Sequence, residues 1–206
     1  MTNYAILERL YKIAENLEPV SALIEDVKKE IATEEAKRAG RGNALKAARD
    51  ILKNANRDDL RGAWINKAGR QHICDGFRLV ILDSPLDLPG LPANVAPVDY
   101  ERIMEAPRHN SAALVLPDPA ELAAFVKSEK ARKKATADKT PPVYKFGNGL
   151  PWVNAAWLLG LLELLPGASA FASSIRPTTS AIYFKSEAGE SILLPVRQPK
   201  GGAKND

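Results

Sequence analysis

Cysteine and histidine are almost missing from this 206-residue chain, which has one of the first and two of the second. The lone thiol, Cys74, excludes an intrachain disulfide and argues for a reducing compartment, here read as the cytoplasm. A zinc site would have to be assembled from His72, His109 and carboxylates, so no metal site is expected. Long apolar runs are missing too. The most apolar stretch, Trp152 to Leu165, is too short to span a bilayer and contains Asn154 and Glu163. It is expected to be a core helix, and no membrane is expected among the partners. The first residues, MTNYAILERLYKIAENLE, are charged and amphipathic, without the apolar centre of a signal peptide.

Catalytic signatures are equally scarce. Gly167-Ala168-Ser169-Ala170-Phe171 begins like a nucleophile elbow, but Phe171 stands where the second tight-turn glycine belongs. Gly40-Arg41-Gly42 has neither a preceding strand nor a third glycine, and it reads as a turn. There is no Walker lysine motif, HExxH or EF-hand loop. His72 alternates with strand neighbours and is expected to be structural; His109, in the Arg108-His109-Asn110 loop, is expected to be solvated. We therefore expect no catalytic residue, no cofactor and no enzyme.

What is present is an ordinary globular composition, with 45% hydrophobic and 26% charged residues. A formal charge of +4 and a pI near 9.1 are compatible with nucleic-acid contact. Arg41, Lys46, Arg49 and Lys53 recur along one segment, continued by Arg57 and Arg61. Lys130, Lys133 and Lys134 crowd the end of another, with Lys127 and Arg132 beside them. These residues could neutralise phosphates without reading bases, which makes DNA a candidate partner. The competing reading is of solvated helix faces, with lysines favoured at a helix C-terminus by the dipole.

Along the chain, Ile6, Leu10, Ile13, Leu17, Val20, Ile24, Val27 and Ile31 alternate in steps of four and three, a heptad seam over residues 3–39. Pro19 fits the first turn of a second helix. The seam serves either a kinked dimerising helix or a helical hairpin folded on its own body. Residues 38–43 form a turn and a boundary, and Asn43 can cap a helix over 44–55. Short strands follow at 62–65 and through the stretch HICDGFRLVIL, residues 72–82. Residues 84–118 are proline-rich and read as an irregular connector. A helix is expected over 117–134, a mobile loop over 135–142 and a helix over 152–165. Strands are expected near 169–175, 181–185 and 191–197, with a hairpin turn at Glu187-Ala188-Gly189. The last residues, 198–206, read as disordered. The whole is an α+β fold of two similar halves with an N-terminal helical extension: residues 1–40, 41–197 and the tail.

Cys74-Asp75-Gly76-Phe77-Arg78-Leu79 resembles the Thr-Asp-Gly-(His or Tyr)-Arg-Leu turn of bacterial DNA sliding clamps. It follows Leu60-Arg61-Gly62-Ala63-Trp64-Ile65, similar to that family's L-x-G-x-x-[VI] strand. Val153-Asn154-Ala155-Ala156-Trp157-Leu158 is similar to its Phe-Asn-x-x-Tyr-Leu helix start. Leu194-Pro195-Val196-Arg197 is similar to its C-terminal Met-Pro-[MV]-Arg-Leu, and Pro97-Val98-Asp99-Tyr100-Glu101 to its Tyr-Pro-Asp-Tyr connector. The resemblance covers roughly residues 44–197. Cys74 replaces the family's threonine, Phe77 its histidine or tyrosine, and Leu194 its methionine.

The resemblance implies a non-catalytic replication accessory protein with a clamp-like body, of the kind a mobile element could carry. It further implies a groove for short peptides of polymerases or clamp loaders. Gly76 would admit a close backbone; Cys74, Phe77, Leu79, Leu194, Pro195 and Val196 would supply apolar walls; Arg78 and Arg197 would frame the rim. The competing reading of the turn is a β-bulge beside an edge strand ended by Pro195. A clamp has three such domains and this chain has room for little more than one, so a ring implies a homo-oligomer. The alternative function is a small basic nucleic-acid-binding regulator that dimerises through its N-terminal helices.

Overall fold

The computed structural model describes residues 18–55 and 57–197. The start of the heptad seam, before Glu18, and the tail 198–206 lie outside the described residues. The chain divides into two compact units, the first ending at Leu45 and the second beginning at Lys46. The division falls inside a helix, not in the 38–43 turn.

In the first unit, helix α1 (Glu18–Arg38) has Pro19 in its first turn, where a missing N–H costs nothing. Pairs three residues apart, such as Lys28–Glu25 at 3.0 Å and Lys37–Glu34 at 2.8 Å, run along its exposed side. The helix stops at Gly40, whose amide reaches the Lys37 carbonyl while the Arg41 amide bonds back to Ala36. Helix α2 (Gly42–Asn54) follows at once and crosses the division between the units. Because it starts at Gly42, Asn43 sits in its first turn and is not the cap expected from the sequence.

The second unit is α+β, built on a seven-stranded sheet in the order β1-β2-β3-β9-β8-β7-β4. After α2 come β1 (Trp64–Ile65), β2 (Gln71–Cys74) and β3 (Arg78–Leu82). After the connector come α3 (Tyr100–Glu105), β4 (Ala112–Leu114) and α4 (Pro119–Ala135). The hairpin of β5 (Val143–Lys145) and β6 (Trp152–Asn154) leads into α5 (Ala155–Leu164). Last are β7 (Ser169–Ala172), β8 (Ile182–Ser186) and β9 (Gly189–Leu193). A helix followed by three strands thus occurs twice, and the last strands of the two sets, β3 and β9, pair antiparallel in the middle of the sheet. The two halves read in the sequence are joined there.

Both faces of this sheet are covered, so its central strands β3 and β9 are buried at every position, including the polar Arg78, Glu190 and Ser191, instead of alternating between core and solvent. One face carries Ile73, Val80, Phe184 and Leu193, all fully buried, together with Arg78, which reaches α2 and α5. The other carries Cys74, Leu79, Ile81, Tyr183 and Ile192, packed in one cluster with Tyr100 and Met104 from α3. The segment expected to be an irregular connector therefore closes a core. It contains α3, a 3-10 turn at Pro107–His109 and β4. Asp99 nucleates α3 by accepting the Arg102 amide at 3.1 Å, a cap hidden in the sequence by the surrounding prolines.

Two further boundaries differ from the sequence reading. The helix expected from Trp152 begins only at Ala155, because Asn154 caps it by accepting the Ala156 and Trp157 amides at 3.0 and 3.3 Å. Trp152 to Asn154 instead pair with β5. The strand expected to reach Arg197 ends at Leu193.

Gly189 opens β9 directly after a two-residue turn at Glu187-Ala188, with φ near +142°. It faces Leu82 across β3, and a Cβ there would overlap the Ile81 carbonyl oxygen. Gly189→Ala should therefore lower stability by about 2 kcal/mol or more, since strain and a blocked central pairing add. Urea unfolding followed by circular dichroism measures it.

Candidate docking surface and the charged face behind it

The stretch HICDGFRLVIL is a hairpin of β2 and β3, not a bulged strand. The Asp75 amide donates to the Arg78 carbonyl at 3.2 Å, closing a turn with Gly76 and Phe77 at its centre. Gly76, at φ near +92°, holds the first central position, where a primed turn needs glycine. The buried Asp75 side chain fills the turn from below. Its Oδ1 accepts the Phe77 and Arg78 amides at 2.9 and 2.7 Å, and its Oδ2 takes Arg78 Nε at 2.9 Å.

Arg78 was expected on the rim of a groove. Its side chain is 1% exposed. It is paired with Asp75 at 2.8 Å and lies 3.5 Å from Asp50 on α2, with its guanidinium 5.1 Å from the centre of the Trp157 ring. Leu79 and Cys74, expected as walls, are buried in the cluster under α3. Burial pushes the Cys74 thiol up to about 11, so it is no nucleophile near neutrality. These three residues shape the surface from beneath.

The two segments that the sequence places far apart do meet. Arg78 is in register with Leu193, and the Leu194 amide donates to the Phe77 carbonyl at 2.9 Å. Two residues on, the Val196 amide donates to the Trp152 carbonyl at 2.8 Å, so the segment passes from β3 to β6. Phe77 is 48% exposed and Leu194 37%. Phe77 stacks on the half-buried Trp157, ring centres 5.2 Å apart. Pro195 and Val196 are half-buried, and Gly76 and Arg197 are exposed. The outcome is an aromatic and aliphatic surface carried by a turn, a helix start and an extended segment. Trp157 and Trp152 were missed as surface residues. The signal for the first lay in the helix-start motif, and the second was absorbed into the expected helix.

The basic candidates fare unevenly. Lys46, Arg49 and Lys53 share one face of α2 by their spacing, but Asp50 shares it with them. Arg41 lies in the first unit, in the turn before α2. On α4, Lys130 and Lys134 are exposed, whereas Lys133 is held by Asp138 at 2.9 Å and by Thr140. Asp138 is driven strongly down in pKa by that lysine. Lys133 is therefore a structural cation.

Behind the turn, the second sheet face carries a charge network the sequence did not announce. Glu190 accepts from Arg70 at 3.0 Å, from Arg108 at 2.6 and 2.9 Å, and from the Tyr183 hydroxyl at 3.0 Å. These groups line a cavity of about 560 Å³. Burial alone would raise Glu190, but Arg108, Tyr183 and Arg70 hold it down at about 2. Nearby His72 is fully buried between Trp64 and Tyr100, with ring centres 5.0 and 5.2 Å away, and neither ring nitrogen has a partner. Burial pushes its pKa below the ordinary 6.5, with Glu101 and Glu190 opposing and Arg70 and Arg108 assisting. Among the described residues no group of three His, Cys, Asp or Glu is placed to hold a metal. None of the helices described is long and apolar enough to cross a membrane.

No family model matches the chain, and neither a curated protein nor a solved structure is significantly similar to it.

Asp75→Ala should destabilise the fold by about 3–5 kcal/mol, because it strands the buried Arg78 charge. Denaturant titration reads the loss, and Asp75→Asn, which keeps acceptors for the turn, should recover part of it. The pH profile should fall in two steps. The contribution of neutral His72 is complete above about 6.5 and is lost as acid forces a proton onto the buried ring. The contribution of Glu190 is complete above its ordinary 4.5 and disappears as pH falls towards about 2. Thermal melts across pH should show both, and His72→Phe should erase the upper step alone.

Proposed function

We propose that the protein is a non-catalytic accessory of DNA replication, related in build to bacterial sliding clamps, that acts in the cytoplasm by docking short peptides of partner proteins. One observation carries the reading: the Asp-Gly-Phe-Arg turn and the Leu-Pro-Val-Arg segment, about 115 residues apart in sequence, are hydrogen-bonded side by side. The repeated helix-and-three-strand unit joined at β3 and β9 supports the same family. In this reading Phe77, Leu194, Pro195 and Val196 meet the apolar side chains of the peptide, with Trp157 as a rigid floor under Phe77. Arg197 is the one arginine of the two motifs exposed to hold an acidic or carbonyl group. Copies of the chain assemble through residues 3–39, and Lys130 and Lys134, with Lys127 beside them, are exposed on α4 and available to a DNA phosphate.

A labelled peptide with glutamine, leucine and a terminal aromatic should bind with a dissociation constant on the order of micromolar, as befits a small apolar site. Phe77→Asp or Leu194→Asp should weaken it more than about tenfold, because a carboxylate would face apolar peptide atoms. Both positions are exposed, so the variants should fold; a charge at the buried Leu79 would test folding instead of docking. No binding to the wild-type chain would overturn the peptide reading. Steeply salt-dependent binding to short linear duplexes would favour the basic regulator in its place. Light scattering reports the assembly: a strict monomer at high concentration excludes a ring.

A further inference from the structure

The seven-stranded sheet ends differently at its two edges. At the start of β1 the backbone is covered: Ala63, just before the strand, donates to the Pro89 carbonyl at 2.8 Å and accepts the Leu91 amide at 3.2 Å. Prolines at 85, 89 and 92 bar any further strand on that side. At the other end β4 is the terminal strand, with β7 as its neighbour. It is short, three residues, but Ala112, Ala113 and Leu114 include no lysine, other charge or proline to block pairing. The chain then continues into Val115, which is 89% exposed.

Beside this edge lies a groove of about 660 Å³ between the chain leaving β4, the first turns of α4, and β5. Its apolar wall is made by Leu122, Phe125 and Tyr144, the last two meeting edge to face at 6.5 Å. Its charged residues are Asp118 and Glu121 at the start of α4 and Lys145 on β5. Lys145 is drawn over the Trp152 ring at 4.1 Å. Asp118 spends one carboxylate oxygen capping α4 through the Ala120 and Glu121 amides. Glu121 is exposed.

We infer that this edge and groove take an extended segment of a partner protein, added to the sheet beside β4. Main-chain pairing to an edge strand supplies affinity without sequence preference, and a neighbouring pocket selects alternate side chains. The groove defines that preference: one apolar side chain against Phe125 and Tyr144, and a lysine or arginine facing Asp118 and Glu121. The site is separate from the Phe77–Leu194 surface and stands or falls independently of it.

Panning a phage-displayed library of random dodecapeptides on the whole protein, with Phe125→Asp for counter-selection, tests the inference. The expected consensus is an alternating apolar segment carrying a lysine or arginine. Selected peptides should bind Phe125→Asp more than tenfold more weakly, bind Phe77→Asp unchanged, and lose their preference for basic residues on Glu121→Lys. Phe125 and Glu121 are exposed, and an unchanged thermal melt confirms that each variant folds. Failure to enrich any peptide over Phe125→Asp, or enrichment indifferent to Glu121→Lys, overturns the proposal. So does self-association of the wild-type chain that Phe125→Asp abolishes, since the occupant would then be a second copy.

Discussion

Two opposite charges are buried together where the halves of the sheet meet, and most of the local architecture follows from keeping them satisfied. Removing the ions of Asp75 and Arg78 from water costs several kcal/mol each, and their attraction offsets this only in good geometry. Here the carboxylate is fully used by two backbone amides and the guanidinium. The guanidinium in turn lies near Asp50 and over Trp157. The pair is therefore compatible with one turn conformation, one position of α2 and one of α5. Apolar residues of similar volume could be as stable, so the contribution is selection of this arrangement over others. Phe77 points outwards while Asp75 and Arg78, which bracket the Gly76-Phe77 turn, are committed inwards.

The pairing of β3 with β9 gives the repeated unit its common core, and covering both faces leaves little of the sheet for contact with other molecules. α2 and α5 lie against one face, where Asp50 and Trp157 meet Arg78. On the other, α3 and the Glu190 network close the core with Tyr100 and Met104. That lid rests on charges of opposite sign in a half-buried setting, where the same low dielectric strengthens the pairs and penalises any unpaired member. His72 sits beneath it with no hydrogen bond to give up and no room for a charge. Among the described residues, what the sheet itself offers to the candidate docking surfaces is thus the turn at Phe77, the segment after β9 and the edge at β4.

Periodicity made the long elements legible. The α+β class, the helices at 119–135 and 155–164 and the β8–β9 hairpin follow from apolar spacing and turn residues. The parts that escaped depend on contacts no local pattern contains. α3 is six residues long in a proline-rich stretch and exists because Tyr100 and Met104 fill a core. The β5–β6 hairpin was hidden because Trp152 and Val153 are as apolar as the helix they precede. Within the candidate site, adjacency of the two motif segments was readable from their resemblance to a known groove. The direction of Arg78 was not. An arginine beside an aspartate in a turn reads as solvated until the partner helix with Trp157 is seen.

The segment Leu194 to Arg197 shows how the fold holds an irregular exposed stretch in one conformation. β9 ends at Leu193, yet the chain does not fray there: Leu194 is tied to Phe77 on one side and Val196 to Trp152 on the other. Pro195, between them, has no amide to satisfy and a fixed φ, so an irregular link meets its hydrogen-bonding needs without a regular strand. Ordering a loop and its side chains on binding costs about 0.5–1.5 kcal/mol for each rotamer-rich residue. Here the backbone cost is met during folding, and the side chains at the surface are the half-buried proline and valine, the exposed leucine and an aromatic stacked on a tryptophan, all poor in rotamer freedom. A small apolar patch of this kind can retain a useful share of its contact energy as affinity, because little of it is spent on ordering the protein.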